Sequence, residues 1–140
     1  MTSFEISTDR ARLDVDLIHT FLATQSYWVP GISRADVEKS IRNSFCFGLY
    51  TQGRQAGFAR VVTDFVRFAQ LMDVFVLDEF RGRGCSKLLM QHILQHPDLA
   101  TVARFSLHTA DAHGLYRQFG FDSPPNPERG MELNRPRQRV

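Results

Sequence analysis

The residues best suited to chemistry in this chain are a pair of glycines among cations. In Phe80-Arg81-Gly82-Arg83-Gly84-Cys85-Ser86-Lys87, Gly82 and Gly84 let backbone N–H groups approach an anion with no Cβ in the way. Arg81, Arg83 and Lys87 add positive charge around them. An acid, Asp73, lies inside the otherwise apolar run Phe68 to Leu77, where it can accept a proton or pair with an arginine. Tyr116 lies in a short helical segment with its hydroxyl free to donate, and Tyr27 and Trp28 stand side by side before Pro30-Gly31. That aromatic pair either packs the loop down onto a core or walls a site for a flat or cationic ligand.

These groups have to be positioned by the elements around them. Phe68 to Leu77 is rich in Val and Phe and reads as a central strand. After the glycines, Cys85, Leu88, Leu89, His92 and Ile93 recur at helical spacing and end before Pro97. A strand that runs through a glycine turn into a helix aims unpaired N–H groups and the positive end of the helix dipole at one point, which suits a phosphate. No Gly-Lys-Ser/Thr closes the turn, so it is not the ATP-binding loop, and Lys87 stands where a dinucleotide fingerprint needs its third glycine.

The rest of the chain supplies the frame. Phe4 to Ser7 reads as a first strand, Leu13 to about residue 24 as an amphipathic helix, and Ser33 as the cap of a second helix that buries Val37 and Ile41. Phe45 to Tyr50 and Ala56 to Val62 form strands about a hairpin turn at Gln52-Gly53-Arg54. Val102 to Leu107 predicts the next strand and Ala112 to Phe119 a short helix capped by Asp111. Further extended pieces are expected at Gly120-Phe121 and around Met131-Glu132-Leu133. The order is mixed α/β, with hairpins early and a crossover late, and residues 1–140 read as a single domain without repeats or linkers.

Composition excludes several classes. At 140 residues, 43% hydrophobic and 23% charged, the chain is an ordinary globular domain. A net charge of +2 is too small to hold nucleic acid by charge alone, although Arg129, Arg135, Arg137 and Arg139 make the end locally basic. The first thirty residues carry no apolar run of signal-peptide or membrane-span length, so no membrane partner is expected and a cytoplasmic enzyme fits. Cys46 and Cys85 lie in unlike contexts without ligand spacing, and His108 and His113 have no completing ligands, so free thiols and no metal are expected.

With these residues in view, the segment Val74-Phe75-Val76-Leu77-Asp78-Glu79-Phe80-Arg81-Gly82-Arg83-Gly84 resembles the acetyl-CoA-binding motif of the GNAT superfamily of N-acetyltransferases. The signature of Arg or Gln, two residues, Gly, one residue, then Gly or Ala falls on Arg81, Gly84 and Ser86, the last a departure. A second block, Ala112-His113-Gly114-Leu115-Tyr116-Arg117-Gln118-Phe119-Gly120-Phe121, is similar to the Ala-x-x-Leu-Tyr-x-x-x-Gly-Phe segment of the same family, in what looks like a bacterial branch. The family often carries Asn three residues before that Ala, where this chain has Thr109.

The resemblance implies the acyl-CoA N-acyltransferase fold, a mixed central sheet splayed at its middle strands between flanking helices. It implies acetyl-CoA as co-substrate, with Val74, Phe75 and Val76 pairing along the pantetheine arm and Arg81, Gly82, Arg83, Gly84, Cys85, Ser86 and Lys87 around the pyrophosphate. It implies direct transfer to a primary amine of a small molecule or peptide, with no acyl-cysteine, and it places Tyr27 and Trp28 on the acceptor side. A phenol with a pKa near about 10 stays protonated at neutral pH and can protonate the departing thiolate, which makes Tyr116 the expected general acid. An alkylamine with a pKa near about 10.4 must lose a proton first, and Asp73 is the expected acceptor, directly or through water. A non-catalytic acyl-CoA-binding regulatory module is the alternative. The many phenylalanines could supply a homodimer face.

Overall fold

The computed structural model describes residues 3–136. Five strands form one sheet in sequence order: β1 (Glu5–Ser7), β2 (Phe45–Thr51), β3 (Arg54–Thr63), β4 (Ala69–Val76) and β5 (Phe105–Ser106). The first four pair antiparallel and β5 joins β4 in parallel, which requires a crossover. Helix α3 (Cys85–Gln95) is that crossover. Helices α1 (Val15–Thr24) and α2 (Arg34–Arg42) precede β2, and α4 (His113–Arg117) follows β5. This is the expected mixed sheet with flanking helices.

Capping and turn chemistry explain the boundaries. Asp14 accepts the Leu17 N–H at 3.1 Å at the start of α1, and Ser33 accepts the Asp36 N–H at 3.1 Å at the start of α2. Gln52 (φ 50°) and Gly53 (φ 78°) are both left-handed, as a tight two-residue hairpin turn between right-twisted strands requires. At the next hairpin one Asp64 carboxylate oxygen accepts N–H groups from Val66, Arg67 and Phe68, and these bonds hold its pKa below the usual carboxylate range.

Two cores sandwich the sheet. On one face Phe47, Leu49, Val61, Leu71 and Val76 pack with Leu89, Met90 and Ile93 of α3. On the other, Cys46, Phe58 and Phe75 pack with Ile18, Phe21 and Leu22 of α1 and Val37 and Ile41 of α2, and Phe21 stacks on Phe75 at 4.0 Å. A β-bulge decides which face each β4 residue serves. Phe58 opposes Phe75 and Arg60 opposes Met72, so Asp73 and Val74 together face Ala59, and Asp73 takes φ 54°. Leu71 points to the α3 core before the extra residue, and Val74 and Val76 point there after it. Without the bulge, Phe75 would leave the α1 core for the α3 core.

The structure corrects several sequence expectations. The strand predicted over 102–107 pairs only at Ala69↔Phe105 and Gln70↔Ser106, because β4 and β5 diverge beyond Gln70. The helix predicted over 112–119 is regular only over His113–Arg117, a span short enough that its ends relax into turns. Asp111 does not cap α4; Thr109 Oγ1 accepts the Ala112 N–H at 3.0 Å instead. Among the described residues neither Gly120-Phe121 nor the run around Leu133 joins a sheet. Arg137 and Arg139 lie outside the described residues.

Candidate active site

The divergence of β4 from β5 creates the site. Among the described residues no strand pairs with β4 on its β5 side past Gln70, so there the backbone of Val74, Phe75 and Val76 has a strand partner only in β3. Phe75 and Val76 are buried and Val74 half-buried. This edge runs into the turn 78–84, where Gly82 (φ 76°) and Gly84 (φ 77°) are left-handed and a Cβ on either would meet nothing within 4 Å. Their role is therefore conformational: the turn needs residues that tolerate positive φ, and the space in front of them is open.

Helix α3 starts at Cys85 with no side-chain cap, and its first helical bond is Leu88 N–H to Gly84 O at 3.0 Å. The N–H groups of Cys85, Ser86 and Lys87 therefore lack helical acceptors and point out of the helix start. A cavity of about 270 Å³ lies over this turn, lined by Val76, Phe80, Gly84, Ser86, Lys87 and Leu115 among others. The cations divide in role. Arg81 donates Nε to Val76 O at 3.2 Å and pairs with Asp78 at 2.9 Å, so it braces the turn against the strand end. Arg83 lies 5.8 Å over the Phe80 ring, and it and Lys87 are exposed. Cys85 is 3% exposed, its Sγ 3.7 Å from Phe80 O, and burial raises its pKa, which suits a helix-start filler and not a nucleophile.

At the other end of the splay the structure gathers residues distant in sequence. Trp28 Nε1 donates to Asp73 Oδ1 at 2.8 Å, and Asp73 Oδ2 accepts Arg60 Nε at 2.9 Å. Arg60 and Asp73 are nearly buried, with side chains 12% and 9% exposed. Arg60 continues to Ser44 Oγ at 3.0 Å. Of the two readings of Asp73, the arginine pairing is present in the structure. Tyr27 is 60% exposed and packs edge-on against Trp28 at 5.0 Å, and its hydroxyl accepts the Ala110 N–H at 2.9 Å. The loop after α1 is thereby tied across the opening to the segment that leads into α4. The aromatic pair is not core, since both side chains are exposed, while the buried Ser26 before it pins the loop by donating to Leu22 O at 2.6 Å and accepting the Val29 N–H at 3.2 Å.

Tyr116 is the buried residue of α4, at 8% exposure, packed edge-on with Phe121 at 5.9 Å. In the fold it faces inward, and Leu115 and Phe119 beside it are half-buried. Burial chiefly raises its pKa above the ordinary phenol value, and the neighbouring Tyr27 and Asp111 push it the same way. It therefore holds its proton more firmly than a free phenol. Sequence reasoning missed Arg60. Arg60 is the only charge in Ala56 to Val62, which was the available signal. Among the described residues no group of His, Cys, Asp and Glu could hold a metal ion.

An opened strand edge, a glycine turn and an uncapped helix start on one continuous track agree with a comparison of the sequence to known families: residues 42–123, more than half the chain, match the acetyltransferase (GNAT) domain. The chain belongs to the GNAT acetyltransferase family. Its fold is close to that of a GNAT-family protein from Xanthomonas campestris pv. campestris, with TM-score 0.93 and 48% identity over 97% of this chain and 96% of that one. An acetyltransferase of Gibberella zeae is 33% identical over 105 residues, covering 61% of this chain and 59% of that protein. An N-acetyltransferase of Gracilaria tenuistipitata var. liui is 31% identical over 103 residues, covering 68% and 56%. The chain thus spans somewhat over half the length of these curated relatives. GNAT enzymes use acetyl-CoA, and the turn and helix start of this chain are open and donor-rich enough to accept its pyrophosphate. No helix among the described residues is long and apolar enough to cross a membrane.

Proposed function

We propose that this GNAT domain transfers the acetyl group of acetyl-CoA directly to a primary amine of a small molecule or peptide. The observation that carries the proposal is the continuous track from the freed edge of β4 through Gly82 and Gly84 to the uncapped start of α3. Val74, Phe75 and Val76 offer backbone partners to the pantetheine arm, as an added strand would find them. The N–H groups of residues 85–87, with Gly82, Gly84, Arg83 and Lys87, hold the pyrophosphate, and Arg81 braces their turn. Bound acetyl-CoA supplies a thioester whose carbonyl carbon the amine attacks, forming the C–N bond as the C–S bond breaks. Tyr116, kept protonated by burial, gives its proton to the leaving sulfur, and the second proton that the nitrogen sheds as the amide forms returns through solvent to the tyrosine oxygen.

The amine must arrive neutral, which costs roughly 4–5 kcal/mol for a group titrating about three units above neutrality. Asp73 receives that proton through a water: a carboxylate has about four acceptor positions, and Trp28 and Arg60 occupy one each. Tyr27 and Trp28, exposed at the mouth, form the acceptor wall, and an aromatic wall favours a flat or cationic amine.

Calorimetric titration with acetyl-CoA, with ATP and NAD as controls, tests the cofactor. Saturable binding of acetyl-CoA alone is expected, and absence of binding by folded protein overturns the reading. Release of free thiol on adding amines then separates an enzyme from a module that only binds acyl-CoA.

A further inference from the structure

Beyond the β4–β5 ladder, the segment that carries Tyr116 has little directional hold on the rest of the molecule. Among the described residues a single hydrogen bond joins 108–136 to the elements before it, from Ala110 N–H to the Tyr27 hydroxyl at 2.9 Å, and no ion pair joins them. The remaining hold is apolar: Ala112, Leu115, Tyr116, Phe119 and Phe121 pack on the α3 core. Apolar burial is non-directional, so it presses α4 down without fixing its rotation or its slide. Nor does α4 fix itself. It has five residues, Gly114 among them, too short a helix to persist by its own bonds. Its first turn is entered through Thr109 Oγ1, which accepts the Ala112 N–H at 3.0 Å, and the next residue, Ala110, is the one that Tyr27 holds.

The other side of that hydrogen bond is firmly based. Tyr27 packs edge-on against Trp28 at 5.0 Å, Trp28 Nε1 donates to Asp73 Oδ1 at 2.8 Å, and Asp73 Oδ2 accepts Arg60 Nε at 2.9 Å. A run of contacts therefore crosses the opening from β4 to the segment after β5, with the proposed proton acceptor at one end and the helix of the proposed proton donor at the other. Tyr27 is also among the groups that raise the Tyr116 pKa, so the two phenols lie close enough to interact.

We propose that Tyr27 is a positioning residue for the acetyl transfer: its hydroxyl, bound to the Ala110 N–H, fixes where α4 presents Tyr116 to the thioester. An aromatic acceptor wall needs only the ring of Tyr27; this role needs the oxygen. The role rests on Tyr116 as the general acid, and separate variants tell the two failures apart.

Tyr27→Phe keeps the ring and removes the acceptor of the Ala110 bond. With phenethylamine as the probe amine, kcat should fall about tenfold, as for a slightly misplaced reacting group. The KM for the amine and the acetyl-CoA dissociation constant should each stay within about twofold. In a Tyr116→Phe background the same substitution should change kcat by less than about twofold, because no hydroxyl is left to misplace. A purely structural loss would lower kcat alike in both backgrounds, and that result overturns the proposal. The chain has three tyrosines, so 3-fluorotyrosine labelling gives three fluorine resonances and a readout that needs no turnover. Tyr27→Phe should shift or broaden the Tyr116 resonance, assigned through Tyr116→Phe, and leave that of Tyr50 in place. A Tyr116 resonance that does not move overturns the proposal, and so does an unchanged kcat in Tyr27→Phe where Tyr116→Phe lowers it. An unchanged kcat in Tyr116→Phe overturns the general-acid reading first and this role with it.

Discussion

Tyr116 and Asp73 differ in how they are held, and this decides what their replacement should do. Tyr116→Phe removes only a hydroxyl, so kcat should fall about 10²-fold with acetyl-CoA affinity unchanged within twofold. Stopped-flow and calorimetry on the same preparation check this; an unchanged kcat removes Tyr116 from the chemistry. Because burial raises its pKa, the tyrosine's own alkaline limb in kcat should lie above about pH 10. Asp73 carries structural weight that Tyr116 does not. Asp73→Asn can still accept the Trp28 N–H but leaves Arg60 nearly buried without its counter-charge, a change that typically costs about 3–5 kcal/mol. Urea unfolding should show that loss, and kcat/KM should fall in the fraction that remains folded.

At the scale of elements, the site depends on a strand that changes faces and a turn that needs left-handed residues. Gly57 opposes Val76, and a Cβ there would lie 2.8 Å from Phe75 O, against the strand proposed to pair with the pantetheine arm. Gly57→Ala should therefore destabilise the fold by about 1–3 kcal/mol, read as a lower urea midpoint. Gly84→Ala meets open space but must hold a positive φ, a strain of about 1–2 kcal/mol. Its expected effect is local: acetyl-CoA affinity drops at least fivefold while the urea midpoint moves less than for Gly57→Ala. Equal affinity in the two variants would place the pyrophosphate elsewhere.

At the scale of the whole molecule, the two cores set the alkaline limit of stability. Burial is the main cause that pushes the Cys46 thiol up to about 11, and it also raises the pKa of Tyr50, whose hydroxyl is buried without a partner, and of Tyr116. In each case the folded state binds its proton more tightly than the unfolded chain. Stability should therefore be intact below about pH 9, the ordinary thiol value, and decline as pH rises toward 11. Urea midpoints across pH 7 to 11 measure it. Cys46→Ala should lessen the slope, and Cys46 should resist alkylation at pH 8 until the protein unfolds.

Much of this was legible in the chain because it depends on short-range pattern. The glycine turn between an apolar run and a helical repeat is local, and so are the cap at Ser33 and the hairpin at Gln52-Gly53. The Tyr116 block could be found by its resemblance to a segment of the family. Only tertiary structure decided where those pieces meet. The bulge at Asp73 leaves no mark in composition, yet it swaps the faces of Val74, Phe75 and Val76. Trp28, Asp73 and Arg60 join across 45 and 13 residues of sequence separation, which no periodicity encodes. Strand pairing carries the same lesson: 105–109 and 131–134 each alternate like strands, but a strand exists only beside a partner, and the chain's own ladder stops at Ser106.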